Sequence, residues 1–420
     1  MRVLVIGSGG REHALARALS RDPAVTALHA APGNPGIAEL AELHSVAPAD
    51  PDQVVALARQ IEPDLVVIGP EAPLVAGVAQ ALRAAGFRCF GPDRGAAMVE
   101  GSKSFAKQVM TAAGVPTAAA RTSTTRASAQ AALDEFGPPY VVKADGLAAG
   151  KGVVVTADRA VALEHAAACG TVVIEEFLDG PEVSVFAIAD GTAALTLQPA
   201  QDYKRAYDGN AGPNTGGMGA YTPLSWAPAD LADEVLATVI EPALTELAHR
   251  GTPYRGLLYA GLCLTADGIR VVEFNARFGD PEAQVVLDRL GTPLGGLLAA
   301  AASGDLAGAG KLTWLPGAAV TVVIAAGGYP AAPVGGDVIE GIADAGRVPG
   351  SYVLQAGTAR DGSGRLVSSG GRVLNIVAAG ADQAEARASA YQAAGRIRMR
   401  GSWYRTDIAA GPAAGTRAGR

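Results

Sequence analysis

The first hundred residues alternate short apolar runs with amphipathic stretches. Residues 2–6, 25–30, 65–68 and 88–90 have the length and side-chain character of strands. Residues 11–20, 51–61 and 74–85 carry apolar side chains at helical spacing, with Gly or Pro at the joins. This alternation predicts a parallel sheet covered on both faces, with ligands beyond the carboxyl ends of its strands. Two of those ends are chemically loaded: Gly7-Ser8-Gly9-Gly10-Arg11-Glu12-His13 and Gly69-Pro70-Glu71.

Beyond Gly101 the texture changes. A helix over 102–113 leads through Gly114-Val115-Pro116 into a small unit. That unit has a strand (140–144), a Gly-rich loop (145–152), a strand (153–156), a helix (160–169) and a strand (172–175). Further strands follow Pro181, then a Gly/Asn/Pro loop (208–219), a helix (229–250) and a strand pair (256–265 and 268–274). A last module starts near Lys311. It holds an apolar strand (318–325), a hairpin signal at Asp361-Gly362-Ser363-Gly364, a strand (373–378) and a helix (382–396). Residues 411–420 are small and polar and read as a disordered tail.

Composition narrows the class. Lys+Arg 34 against Asp+Glu 41 gives a net charge of −7, so no global basic field draws the chain to nucleic acid or anionic lipid. With 49% hydrophobic and 18% charged residues there is enough apolar surface for sizeable cores. The longest apolar runs, 294–302 and 318–326, fall far short of the roughly 20 residues of a membrane span. Residues 3–6 are too short for a signal-peptide core. Cys89, Cys169 and Cys263 are scattered without a C-x-x-C pair, which suits a reducing cytoplasm.

Three segments carry candidate chemistry. Gly7-Ser8-Gly9-Gly10 follows a strand, but Glu12 stands where a dinucleotide fingerprint has its third glycine, and no acid ends the second strand. What remains is an amide-rich helix start beside Arg11, suited to phosphate, or a tight turn needing glycine for packing alone. Asp145-Gly146-Leu147-Ala148-Ala149-Gly150-Lys151-Gly152 departs from a P-loop in spacing and joins strand to strand. It can still fold over polyphosphate as a flap, with Lys143 adding charge; an ordinary hairpin would look alike. The acids Glu175, Glu176, Asp179 and Glu182 around Gly180-Pro181 read as a hinge at a nucleotide edge or as a solvated turn.

The run Val271-Val272-Glu273-Phe274-Asn275-Ala276-Arg277-Phe278-Gly279-Asp280-Pro281-Glu282 is the richest. If the strand continues to Arg277, alternation places Glu273, Asn275 and Arg277 on one face and Val272, Phe274, Ala276 and Phe278 on the other. A Glu/Asn/Arg face is costly unless it lines a polar site. Oxygen donors of this kind suit Mg²⁺ in nucleotide sites, and the guanidinium suits phosphoryl or carboxylate groups.

In order and spacing these segments resemble the ATP-grasp carboxylate–amine ligases and, among them, the glycinamide ribonucleotide synthetase family, with the block 213–221 especially specific. The resemblance implies an α/β multidomain fold. It would have an N-terminal parallel α/β sheet domain (1–100), a central ATP-grasp domain (101–310) with a mobile flap subdomain at about 116–182, and a C-terminal α+β domain (311–410). It implies ATP, glycine and 5-phosphoribosylamine as substrates and Mg²⁺ or Mn²⁺ as metal, with no nucleic-acid, membrane or obligate protein partner. Lys103, Lys143, Gly150, Lys151 and Gly152 are then expected at the ATP phosphates. Glu175 and Leu178 would meet adenine through their backbone, and Glu182 the ribose. Glu273 and Asn275 would hold metal. Asp202, Gly216 and Gly217 would receive glycine, and Gly10, Arg11, Glu12, Asn34 and Glu71 phosphoribosylamine. Arg277, Lys143 and Asp202 are the catalytic candidates, with Arg277 also on phosphate or glycine carboxylate. The chain departs from the family in two places. Tyr203 follows Asp202 where His is common, and the connection between 169 and 172 is short. Rival readings are a ligase for another carboxylate or amine, a nucleotide sensor without turnover, and a dinucleotide oxidoreductase.

Overall fold

The computed structural model describes residues 1–147 and 152–411, so Ala148–Lys151 of the expected flap loop and most of the expected tail lie outside the described residues. The N-terminal sheet is parallel throughout, in the order Glu42–Leu43, Ala27–Pro32, Arg2–Gly7, Leu65–Ile68, Cys89–Phe90. Its central strand buries both faces. Val3 and Val5 pack with Leu15 and Leu19 of the helix Gly10–Ser20, while Leu4 and Ile6 pack with Val54 and Leu57 of Pro51–Ile61.

Two antiparallel four-stranded sheets form the middle of the molecule. One runs Ala194–Thr196, Glu182–Asp190, Arg255–Thr265, Gly268–Asn275; the other runs Ala120–Ser123, Val172–Glu175, Tyr140–Ala144, Val153–Thr156. The helices Arg126–Phe136 and Arg159–Cys169 cover the second through Leu133, Val142, Leu163 and Ile174. A third antiparallel sheet runs Gln201–Asp202, Gly219–Thr222, Ala318–Ala325, Arg372–Gly380, Ser351–Gln355. Residues 201–222, placed with the central unit by sequence, therefore hydrogen-bond into the C-terminal sheet. Pairing such as Gly219 with Val322 leaves no local signature.

Several elements differ from expectation. The helix expected over 74–85 is two, Glu71–Ala76 and Val78–Ala84, because Gly77 sits at φ +92 between them. The helix expected over 229–250 contains a π-helical turn, Leu236–Ile240, before Glu241–His249. Pro242 has no amide to offer the carbonyl four residues back, which accounts for the widened turn. The 208–219 loop contributes a short strand, Ala211–Asn214, paired with Arg205–Tyr207. The edge strand Glu42–Leu43 and the helix Arg94–Gly101 were not expected. Among the described residues no helix is long and apolar enough to cross a membrane.

Candidate active site

A cleft of about 410 Å³ is lined by both middle sheets, by Arg11 and Glu71 at the ends of N-terminal strands, and by Arg372 of the C-terminal sheet. The strand Gly268–Asn275 supplies its acidic wall, but not by simple alternation. The register with Arg255–Thr265 slips between Gly261, opposite Glu273, and Leu262, opposite Val271, leaving Val272 as an extra residue. Val271 and Phe274 are buried at 0% and 3% exposure, whereas Val272 lines the cleft beside Glu273 and Asn275. The expectation that Val272 fills the apolar face is thus corrected: Val271 does so. The bulged Val272 turns its carbonyl to Lys143 Nζ at 2.9 Å. The strand also stops at Asn275. Arg277 still reaches the cleft, held by Glu100 (2.9 Å), Glu71 (3.4 Å) and the Asn275 carbonyl oxygen of its side chain (3.4 Å).

Cations and acids alternate around this wall. Lys143 and Lys107 grip the buried Glu175 at 2.6 and 3.1 Å. Lys103 Nζ donates to the Gly146 carbonyl at 3.0 Å, and Asp145 is fastened by the hydroxyls of Ser104 (2.6 Å) and Ser102 (3.3 Å). Lys204 pairs with Glu182. Burial alone would favour protonated Glu273, but Lys204, Lys143, Lys103 and Arg277 outweigh it and hold the carboxyl below its ordinary value. Burial pushes Asp202 the other way, to about 8; Lys204 opposes the rise, while Glu282, Glu182 and Glu273 add to it. Four carboxylates crowded on one wall, with an Asn oxygen among them, are a donor set that a hard divalent cation relieves.

The family models for the N, ATP-grasp (A) and C domains of phosphoribosylglycinamide synthetase match residues 1–100, 101–283 and 319–411. The chain belongs to the phosphoribosylglycinamide synthetase family. Its relatives include a phosphoribosylamine–glycine ligase of Streptomyces coelicolor, 61% identical over 98% of this chain and 99% of that one. Another, from Mycobacterium leprae, is 56% identical over 97% of each. The crystal structure of the Thermotoga maritima phosphoribosylamine–glycine ligase superposes with a TM-score of 0.84 at 33% identity, covering 97% of this chain and 100% of that one. A biotin carboxylase from Campylobacter jejuni shares the fold at TM-score 0.72 and 14% identity.

Against this family background, Lys103, Lys143, Gly152, Glu175, Leu178, Glu182, Asp202, Gly216, Glu273, Asn275, Arg277, Arg11 and Glu71 all line the one cleft. Gly150 and Lys151 lie outside the described residues. Gly217 sits just behind the wall at φ +108, where a Cβ would meet Pro281 at 2.4 Å. Gly10, Glu12 and Asn34 are packed at the junction with the C-terminal sheet. A Cβ on Gly10 would lie 2.3 Å from the Asn375 amide nitrogen. Glu12, 2% exposed, receives Gly9 N–H and the Arg11 guanidinium. The Asn34 amide donates to the Ser8 and Gln355 carbonyls, and its oxygen accepts from Gly36 and Ile37. Glu12 and Asn34 thus shape the loop through bonds inside the chain. Tyr203 points away from the cleft; its hydroxyl donates to the Gly411 carbonyl and accepts from Ala409 N–H.

Lys107, Lys204, Glu100, Glu282 and Arg372 also line the cleft, and the sequence reading missed them. Two had a signal. Lys107 lies one helical turn beyond Lys103, and Lys204 lies two residues beyond Asp202, spacings that favour a shared face.

Proposed function

We propose that this chain joins glycine to 5-phosphoribosylamine at the expense of ATP, giving ADP, phosphate and glycinamide ribonucleotide. The observation that carries the reading is the convergence of Glu273, Asn275 and Arg277 on the cleft that also holds Lys103 and Lys143. A carboxylate is a poor acyl donor until one oxygen becomes a leaving group. Glycine's carboxylate oxygen attacks the γ-phosphorus, the bond to ADP breaks, and glycyl phosphate forms. The amine of phosphoribosylamine then adds to the acyl carbon, loses a proton and expels phosphate.

Each residue has a place in that sequence. Lys103 and Lys143 hold the phosphates, and Gly152 with its neighbours shields the acyl phosphate from water. The apolar side chains of Val141, Val155, Phe177 and Leu178 line the cleft where adenine would sit, with Glu182 toward the ribose. Glu273 and Asn275 would hold Mg²⁺ or Mn²⁺, which when bound neutralises charge on the transferred phosphoryl group. Arg277 clamps phosphate or the glycine carboxylate. Asp202, with the Gly216–Gly217 loop, receives the glycine ammonium. Arg11 and Glu71, on the N-terminal side of the cleft, face phosphoribosylamine, with Gly10, Glu12 and Asn34 shaping that end.

The test is ADP release from ATP, glycine and phosphoribosylamine generated in place. Glu273→Gln should lower turnover about 1,000-fold or more with thermal unfolding near wild type. Other small acids in place of glycine should release no ADP. Retained activity in the variant would remove Glu273 from the metal site.

A further inference from the structure

A second cluster of ligating side chains lies on the far edge of the N-terminal sheet, and none of its members lines the cleft. His29 stands on Ala27–Pro32, directly opposite Glu42 of the parallel edge strand. His44 follows two residues after Glu42, on the same face, and its N–H is fixed to the Ala30 carbonyl at 2.9 Å. Three ligand atoms converge there. His29 Nδ1 is 3.0 Å from His44 Nε2 and 3.6 Å from one Glu42 oxygen, and the other Glu42 oxygen is 3.9 Å from His44 Nε2. Taking one ligand atom from each residue, all three lie within 4.8 Å of one another. Around a tetrahedral ion with bonds of about 2.0–2.2 Å, neighbouring donors stand roughly 3.3–3.6 Å apart. The His29–His44 contact lies just below that range and the two His–Glu42 approaches, each to its own carboxylate oxygen, lie at or just above it.

We propose that His29, His44 and Glu42 form a site for a borderline transition-metal ion such as Zn²⁺, separate from the catalytic cation. The donor set is two imidazoles and a carboxylate, which suits Zn²⁺ far better than Mg²⁺. Both imidazole side chains are largely withdrawn from solvent, at 13% and 20% exposure, whereas Glu42 is 69% exposed, so a fourth position opens to water. Burial and the neighbouring His44 lower the proton affinity of His29, Glu42 partly opposing and Arg2 adding to the effect, which keeps the imidazole in its ligating form. A bound ion would tie the two-residue strand Glu42–Leu43 to the sheet at a place where backbone pairing is minimal. Coordination moves no electrons; the proton on whichever ring nitrogen donates across the 3.0 Å contact leaves to solvent.

Metal-stripped full-length protein without nucleotide is titrated with Zn²⁺ by calorimetry and with Co²⁺ by visible absorption. Wild type should bind one equivalent of Co²⁺ with the intense bands of tetrahedral nitrogen ligation, and Zn²⁺ should raise its Tm. Glu273→Gln, which removes the cleft site, should leave those bands intact. His44→Ala and His44→Gln should each weaken binding about 100-fold and cancel the Tm rise, and Glu42→Gln should weaken it about tenfold, in the range of lost ligand-shell contacts. Absence of tetrahedral Co²⁺ bands in wild type, or wild-type affinity in either folded His44 variant, would overturn the site. Failure here leaves the reading of the cleft untouched, because the readouts need neither ATP nor turnover.

Discussion

Glu175→Gln separates the electrostatic support of the cleft from its chemistry. Glu175 is 3% exposed and bridges Lys143 and Lys107 at 2.6 and 3.1 Å. Burial already pushes Lys107 down to about 8 from 10.5, even with the carboxylate raising it. At about 1.4 kcal/mol per pH unit, that depression costs on the order of 3 kcal/mol at neutral pH. Without Glu175 the amine falls further, but at pH 7 the cost saturates at about 5 kcal/mol once the amine is neutral, so Lys107 adds at most about 1–2 kcal/mol. Lys143 keeps the Val272 carbonyl at 2.9 Å and loses one charge-assisted bond, worth about 1.5–3 kcal/mol. The variant should therefore be about 2–4 kcal/mol less stable at pH 7.

The pH dependence supplies the sharper check. Lys107 has a folded-state value below its unfolded one, so between the two the unfolded chain binds more protons and stability rises with pH. In the variant that rise starts at lower pH. By pH 9 the amine is largely neutral in both proteins, and the gap between them should narrow by up to about 1–2 kcal/mol. Urea unfolding of ligand-free protein, followed by circular dichroism at pH 7 and pH 9, measures both quantities. A loss below about 1 kcal/mol at pH 7, or a gap that widens with pH, would refute the reasoning.

Three further substitutions probe other parts of the argument. Asp202→Asn should raise the KM for glycine about 10- to 100-fold while that for ATP stays near wild type: the carboxyl, which burial holds largely protonated, ionises against the incoming ammonium, and the variant loses that charge-assisted bond; steady-state ADP release measures both. Gly69→Ala places a Cβ 2.1 Å from Glu12 Oε1, and the displaced carboxylate should cost about 1–3 kcal/mol, visible as a lower Tm. Arg405→Met removes a bidentate pair with Asp407, a 2.9 Å bond to the Arg205 carbonyl and a stack on Tyr203. Its expected cost is about 3–5 kcal/mol by denaturant midpoint.

The sequence revealed what is periodic or punctuated. The parallel strands, the Pro51–Ile61 helix and the hairpin around Asp361 stand close to where pattern placed them because hydrophobic spacing and turn residues are local. The bulge at Val272 was invisible: its cause is the register of a partner strand, so alternation assigned the wrong valine to the core. Lys204 had only its spacing from Asp202 to mark it, and its pairing with Glu182 came from the fold. Asn34 is expected at phosphoribosylamine from the family resemblance alone; its four bonds within the chain depend on Ser8 and Gln355, far from it in sequence, as well as on its own turn.

Arg372 has a consequence for biogenesis. Its guanidinium donates to the carbonyls of Gly216 and Asp280, reaching across from the C-terminal sheet to the 216–217 loop and to the end of the acidic wall. On the ribosome the lysines and acids of the cleft up to Asp280 emerge well before this arginine, and so does all of the N-terminal sheet. A nascent chain halted after Asp280 would carry Lys103, Lys143 and Glu273 but lack the clasp on the 216–217 loop. Completion of translation is then what fastens the loop, so the cleft gains its full lining only once synthesis has passed Arg372.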